Sequence, residues 1–460
     1  MTAHYPPSPK SALLGLDLIL RFRRDPLAFG MDFAQFESDL VYYRLGPIHA
    51  YMVKHPDLIH EVLVKQAKKF HKWQRQKDVF GKFDGNGLVN SDGDFWRRQR
   101  KLIQPAFHHK RIAGYADVMV DFTKRRVEAW QPNAEFRVDQ AMSHITRDIV
   151  TKTLFNADVS AETQRIGECM NVVQEMAYRD MGLPFSVPDW VPLASKRREL
   201  QAMRDLDTII TRIIRERRER GGDRGDLLSM LLLAVDEQGN GMDDRQARDE
   251  AMTLFIAGHE TSATALSWTW YLLATHPEVE AKLIAEVDSV LGGRPATLAD
   301  VPKLKYAEMV FKETLRLYPP TWMFPRQAVE PVEIGGYLLK PSSLVHLFPY
   351  VVHHDPRWFD QPEQFIPERF APERADSIPD YAFFPFGGGP RVCIGNSFAM
   401  MEAQLILATV LQQYRLTLAP GQGEPEPEPL IVLRPKGGIR MRPAPREPLR
   451  QRDAVATVAV

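Results

Sequence analysis

The chain has 460 residues, 44% hydrophobic and 26% charged, an ordinary globular composition with ample length to bury a core and enclose a sizeable ligand. Its 59 Lys plus Arg balance 59 Asp plus Glu, so no global charge favours nucleic acid or an anionic membrane as partner. Two cysteines, Cys169 and Cys393, make no disulfide framework and point to a soluble protein of a reducing cytoplasm.

The first apolar patch, "SALLGLDLILRF", is broken by Asp17 and closed by Arg21, Arg23 and Arg24. It is too short and too charged to be a transmembrane anchor, and reads as an ordered start packed on the core. "LVYYRLG" and "HAYMVKH" flank Gly46-Pro47 and predict a hairpin. "HPDLIHEVLVKQ" predicts a helix with Pro56 in its first turn. From Phe95 to about Arg316 the periodicity is mostly helical, and the longest run, Gln246 to His276, ends at Pro277, which opens the next helix. "VEIGGYLL" then predicts a hairpin and "SLVHLFPYVVHHD" a strand. A helix from Ser397 to about Tyr414 and a final hairpin in "LIVLRPKGGIRMRP" follow. With no repeat and no linker, the expectation is a single domain over 1–460, mainly α with small β-sheets. Its β-rich portions lie near 40–55, 325–355 and 415–442, and its helical body near 56–320 and 397–414.

Four stretches carry chemistry. In "PFGGGPRVCIGNSFAMMEAQ", Gly387, Gly388 and Gly389 let the backbone turn tightly and approach something flat and large. Cys393 lies just ahead of a helix, whose dipole is expected to lower the thiol pKa and favour the metal-ligating thiolate. Gly395 leaves the sulfur uncrowded, and Arg391 can hold an anion. In "FIAGHETSATAL", small residues let the long helix pass close to a flat group, and the Thr261 hydroxyl can bond a helical carbonyl and bend the helix. In "SDGDFWRRQRKLIQPAF", Trp96 and Arg100 share a helix face at i, i+4, with a cap expected within Ser91 to Asp94. In "KETLRLYPP", Glu313 and Arg316 are i, i+3 neighbours, on their own no more than a surface ion pair.

The Phe386, Gly389, Arg391, Cys393, Gly395 pattern resembles the FxxGxRxCxG signature of the cytochrome P-450 superfamily, the haem-thiolate monooxygenases, at all five fixed positions. Ala257, Gly258, Glu260 and Thr261 match that family's AGxET, and "IPERF" adds Arg369 downstream of Glu313 and Arg316. The resemblance runs from about the first hairpin to the end, with the motifs in order.

The resemblance implies the P-450 fold and haem b (iron protoporphyrin IX), with Cys393 as axial iron ligand. It implies Trp96, Arg100, Arg326 and Arg391 at the haem propionates, and Phe386, Gly387, Gly395 and Ala257 around the ring. Glu313, Arg316 and Arg369 become a buried structural network, while Glu260 and Thr261 serve catalysis and His259 only packs. O2 is the co-substrate, and NAD(P)H acts indirectly, through a ferredoxin or flavodoxin with its reductase. Arg97, Arg98 and Lys101 are candidates to dock that partner. By family position the pocket comprises Phe80 to Leu88, Met181 to Phe185, Leu254 to Ala257, Thr321 to Phe324 and Leu430 to Val432. Phe83, Leu88, Leu254, Ala257, Thr321, Phe324 and Ile431 lead among these. The implied substrate is a small lipophile: a fatty acid, terpenoid or carotenoid-like molecule. The expected oligomeric state is a monomer. An H2O2-dependent peroxygenase and a non-catalytic haem-thiolate sensor are the rival readings.

Overall fold

The computed structural model describes residues 5–156, 160–181 and 186–447. The Tyr- and Val-rich runs form the expected hairpin, Leu40–Leu45 against Ile48–Val53. Leu344–Leu347 adds in parallel, Phe324–Ala328 pairs with it antiparallel, and the two-residue strand Phe70–His71 closes the five-stranded sheet. One-residue alternation along these strands buries Tyr43 and Ala50 on one face and Leu40 and Tyr51 on the other.

The helical body is built around Asp244–Thr275, whose first turn is capped by the Asp243 carboxylate accepting from Gln246 N–H. Apolar residues all round that helix suit a central position: Trp268 and Trp270 are fully buried, and Val138–Phe155 packs along it. Pro277 opens Pro277–Leu291, as the sequence predicts. Among the described residues no helix is long and apolar enough to cross a membrane.

Several local expectations are corrected. "HPDLIHEVLVKQ" is α-helical only over Pro56–His60 and continues as a π turn, Glu61–Lys65. "SLVHLFPYVVHHD" is the strand Leu344–Leu347 followed by a short helix, Pro349–His353, because Pro349 pre-sets a helical first turn. The helix after Cys393 spans Asn396–Leu411 and gives way to a strand at Tyr414. The last apolar stretch is no hairpin. Leu433–Pro435 pairs with Pro427–Pro429, whereas Arg440–Pro445 pairs with Tyr414–Leu418 and Phe136–Arg137. Near the N-terminus the helix Leu16–Arg24 buries Leu18 fully but leaves Leu14, Leu16 and Leu20 exposed, so only part of the apolar patch packs on the core.

Candidate active site

One cavity of about 1440 Å³ gathers most of the residues singled out in the sequence. Cys393, Phe386, Gly387 and Gly395 line it from one side, and Ala257, Glu260 and Thr261 from the long helix. Trp96, Arg100, Arg326 and Arg391 line it as well. The seven leading pocket residues, Phe83, Leu88, Leu254, Ala257, Thr321, Phe324 and Ile431, all face it. Of the expected pocket segments, Met181 lines the cavity, while 182–185 lies outside the described residues.

The cysteine loop is shaped by glycine. Gly389 has φ of +62°, and a Cβ there would stand 2.0 Å from the Leu63 carbonyl oxygen, so the loop closes on the π turn only because no side chain intervenes. Cys393 N–H donates to the Phe386 carbonyl at 2.9 Å. Cys393 is accessible and lines the cavity. The expected lowering of the thiol pKa is not found. The following helix begins only at Asn396, and burial pushes the thiol up more than Gly395 N–H and the Arg100 charge pull it down. Cys169 is buried in the helix Ser160–Met181 and does not line the cavity.

Beside the loop sits a cluster of cations. The Arg391 guanidinium lies 4.2 Å from the Trp96 ring centre. Its Nη2 donates to Asp92 at 2.5 Å, but its Nη1 is buried without a partner among the described residues. Arg326 is buried, and its Nη1 donates to the neighbouring Pro325 carbonyl at 3.0 Å. Arg100 donates to the Val392 carbonyl at 3.0 Å. Lys72 joins them, a residue that sequence reasoning missed. It is carried to Arg326 and Arg391 by the strand Phe70–His71 pairing with Gln327 and Ala328, a contact no sequence motif signals. Burial, then Arg326 and Arg391, drive the Lys72 pKa well below its ordinary value. Burial, then Arg391, hold Arg326 down to about 10. Asp92 is the carboxylate that answers this cluster, and it also pairs with Lys77 at 3.2 Å. It sits at the N-cap of Gly93–Ile103 yet makes no side-chain cap bond, which corrects the expected Ser91-to-Asp94 cap. An excess of buried cation, with an unmet donor facing inward, fits a ligand bearing carboxylates such as haem.

On the long helix Thr261 Oγ1 donates to the Ala257 carbonyl at 2.7 Å. Burial raises the Glu260 carboxyl to about 7, partly offset by Arg434. Its Oε2 accepts from Gln174 Nε2 at 2.5 Å, a second residue invisible to sequence reasoning because it arrives from the separate helix Ser160–Met181. His259 faces the core: its Nδ1 lies 3.1 Å from the Phe255 carbonyl, and burial lowers its pKa to about 4. The ring packs in the core and does not line the cavity.

Glu313, Arg316 and Arg369 meet in one buried network away from the cavity. Arg97, Arg98 and Lys101 are not free charges. They pair at the surface with Asp94, Asp236 and Glu237 of the same chain, so this basic stretch carries its own acidic partners.

Residues 6–441 match the family model described as Cytochrome P450. The chain is 42% identical to cyclooctatin synthase of Streptomyces melanosporofaciens, with 93% of each chain covered. It is 37% identical to cyclooctat-9-en-7-ol 5-monooxygenase of the same organism, with 84% of each covered. To pentalenene oxygenase of Streptomyces avermitilis it is 34% identical over 92% of this chain and 94% of the relative.

Proposed function

This chain belongs to the cytochrome P450 family of haem-thiolate monooxygenases, and from that premise we propose that it oxidises a neutral, terpenoid-type lipophile held in the apolar cavity. Electrons come from NAD(P)H through a separate ferredoxin or flavodoxin and its reductase. The observation that carries the reading is that one cavity joins Cys393, the unbalanced cation cluster and the Glu260–Thr261 pair. Relatives whose names specify cyclooctat-9-en-7-ol and pentalenene support a bulky hydrocarbon skeleton over a fatty acid.

Haem b, when bound, supplies the redox chemistry that activates O2. Cys393 would hold its iron, and Trp96, Arg100, Arg326, Arg391 and Lys72 its propionates. Cleaving O2 consumes protons, and the chain's own groups must move them. The Thr261 hydroxyl both accepts and donates, and can hold a water at the cavity wall. Glu260, with a pKa of about 7, gains and loses a proton near neutral pH. Gln174 fixes which way that carboxyl points. The apolar walls exclude bulk water. Glu313, Arg316 and Arg369 hold the supporting core as a structural unit, and the chain acts as one domain and a monomer.

The test is an absorption spectrum of the reduced, CO-bound protein. Wild type and Cys169→Ser should give the red-shifted Soret band of a thiolate-ligated haem, and Cys393→Ser should lose it. Retention of that band in Cys393→Ser overturns the axial assignment. O2 consumption with a surrogate ferredoxin and reductase then separates a monooxygenase from a peroxygenase or a sensor.

A further inference from the structure

The sheet wall of the cavity carries a polar pair that the reaction does not use. Tyr43, from Leu40–Leu45, and His346, from Leu344–Leu347, both line the cavity, and the tyrosine hydroxyl is hydrogen-bonded to His346 Nδ1. Their rings lie 5.8 Å apart and near parallel. Tyr43 is 2% and His346 5% exposed. Among the described residues no protein group hydrogen-bonds His346 Nε2, yet that nitrogen is not sealed away, so it opens onto the cavity its ring lines.

The surroundings are apolar. His346 sits opposite Pro325 and Met52 in the sheet and packs against Phe348, which in turn packs against Trp322. Burial alone lowers the His346 pKa, to about 4, and no charged side chain contributes to the shift. The imidazole is therefore neutral, and the site offers no countercharge to an anion.

Two tautomers are available. If Tyr43 donates to Nδ1, Nε2 carries the proton and donates into the cavity. If Nδ1 donates to Tyr43, Nε2 accepts from the cavity. A hydroxyl satisfies either tautomer. A carbonyl satisfies only the first. A carboxylate would satisfy only the first and would bring an unbalanced buried charge.

We propose that the Tyr43–His346 pair is a hydroxyl-binding subsite, so that the substrate is a lipophilic alcohol anchored by its oxygen at the sheet wall. This rests on the reading of the cavity as the substrate pocket. Thr261 lies on the helix wall, so the anchored oxygen and the carbon to be oxidised are different parts of the ligand. A reaction that has already placed a hydroxyl on the hydrocarbon skeleton must then supply this substrate.

The experiment is equilibrium dialysis of the haem-loaded protein with three labelled probes of one skeleton: farnesene, farnesol and farnesoic acid. One buried hydrogen bond should make farnesol bind about 3- to 10-fold tighter than farnesene in wild type, with farnesoic acid gaining no such advantage. His346→Phe should bring the alcohol-to-hydrocarbon ratio close to one. Tyr43→Phe, which preserves ring volume, should reduce it partway, and it stands in if the first variant does not fold. An unchanged ratio in the variants, or a wild-type preference for the acid that both variants lose, overturns the proposal. Dialysis needs no haem signal. The reduced CO spectrum of the same samples therefore reports separately on the monooxygenase reading.

Discussion

Arg316 and Arg391 are both guanidinium groups withdrawn from water, and the chain treats them in opposite ways. Arg316 uses all its N–H donors. Nε and Nη2 donate to the two Glu313 oxygens at 2.8 Å, and Nη1 and Nη2 also reach the carbonyls of His353, Pro362 and Gln364. Arg369 and the Ile366 N–H complete the same carboxylate. Among the described residues Arg391 has one carboxylate, shared with Lys77, and one buried nitrogen with nothing to meet it. Lys72 and Arg326 stand beside it and lower its surroundings' tolerance for positive charge. A saturated cluster serves the fold. An unsaturated one, held open at some cost, is what the carboxylates of the proposed haem would answer.

Removing the anion from the saturated cluster should have the largest effect. Glu313→Ala leaves Arg316 and Arg369 buried without a countercharge and should cost about 3–5 kcal/mol of stability. Denaturant unfolding followed by circular dichroism measures it, and a loss below about 1 kcal/mol would mean the network is not what holds this core.

The open cluster should behave in the opposite sense. Arg391→Ala or Arg326→Ala should weaken haem retention by about 1.5–3 kcal/mol, roughly 10- to 100-fold. The apoprotein should melt no lower than wild type, because a repulsive neighbour has been removed. Haem transfer to an acceptor globin gives the first quantity and an apoprotein melt the second. Equal haem retention in both variants would place these arginines outside the propionate site.

Glu260 is a half-buried acid left half-answered for a different reason in the proposed reaction, where it would change its charge in use. Its pKa is raised from 4.5 to about 7 by burial. Its neutral form therefore stabilises the fold below about pH 4.5, and that contribution is lost as pH rises through about 7. Proton delivery should fall over the same rise, and Glu260→Gln should flatten the profile. Thr261→Ala should keep normal haem spectra but give less product and more H2O2 per NAD(P)H consumed. Wild-type coupling in Thr261→Ala on the preferred substrate would remove its hydroxyl from the relay.

The smallest effect belongs to the surface. Arg98 pairs with Asp236 at 2.7 Å on a partly exposed face, so Arg98→Ala should cost no more than about 1 kcal/mol in a melting experiment. If it also slows reduction by a ferredoxin at low salt only, the pair opens during docking.

Legibility followed sequence distance. Trp96 with Arg100, Glu260 with Thr261, and the Cys393 loop each lie within one short stretch, so spacing alone placed them together. Lys72 and Gln174 reach the same cavity from a two-residue strand and a separate helix. Only tertiary pairing brings them there, and no local pattern encodes it. Arg97 and Lys101 show the reverse failure. Their charges were readable, but Glu237, which pairs with Lys101 from far along the chain, was not, whereas Asp94 beside Arg97 was within reach of the same stretch. The final apolar run had hairpin chemistry around Gly437 and Gly438, yet each half found a better partner elsewhere.

The π turn at Glu61–Lys65 carries a last consequence, for the order of assembly. Gly389 seats directly on the Leu63 carbonyl, so the loop that presents Cys393 is moulded on a segment made near the start of synthesis. Loop and mould are separated by most of the chain, and closing so long a connection is entropically slow. Residues Glu61–Lys65 are therefore synthesised long before the glycine loop that packs on them. A single-residue deletion there would turn the wide turn into an ordinary helical one and shift the Leu63 oxygen. Such a chain would build its helices on schedule and stall at the step that seats the cysteine.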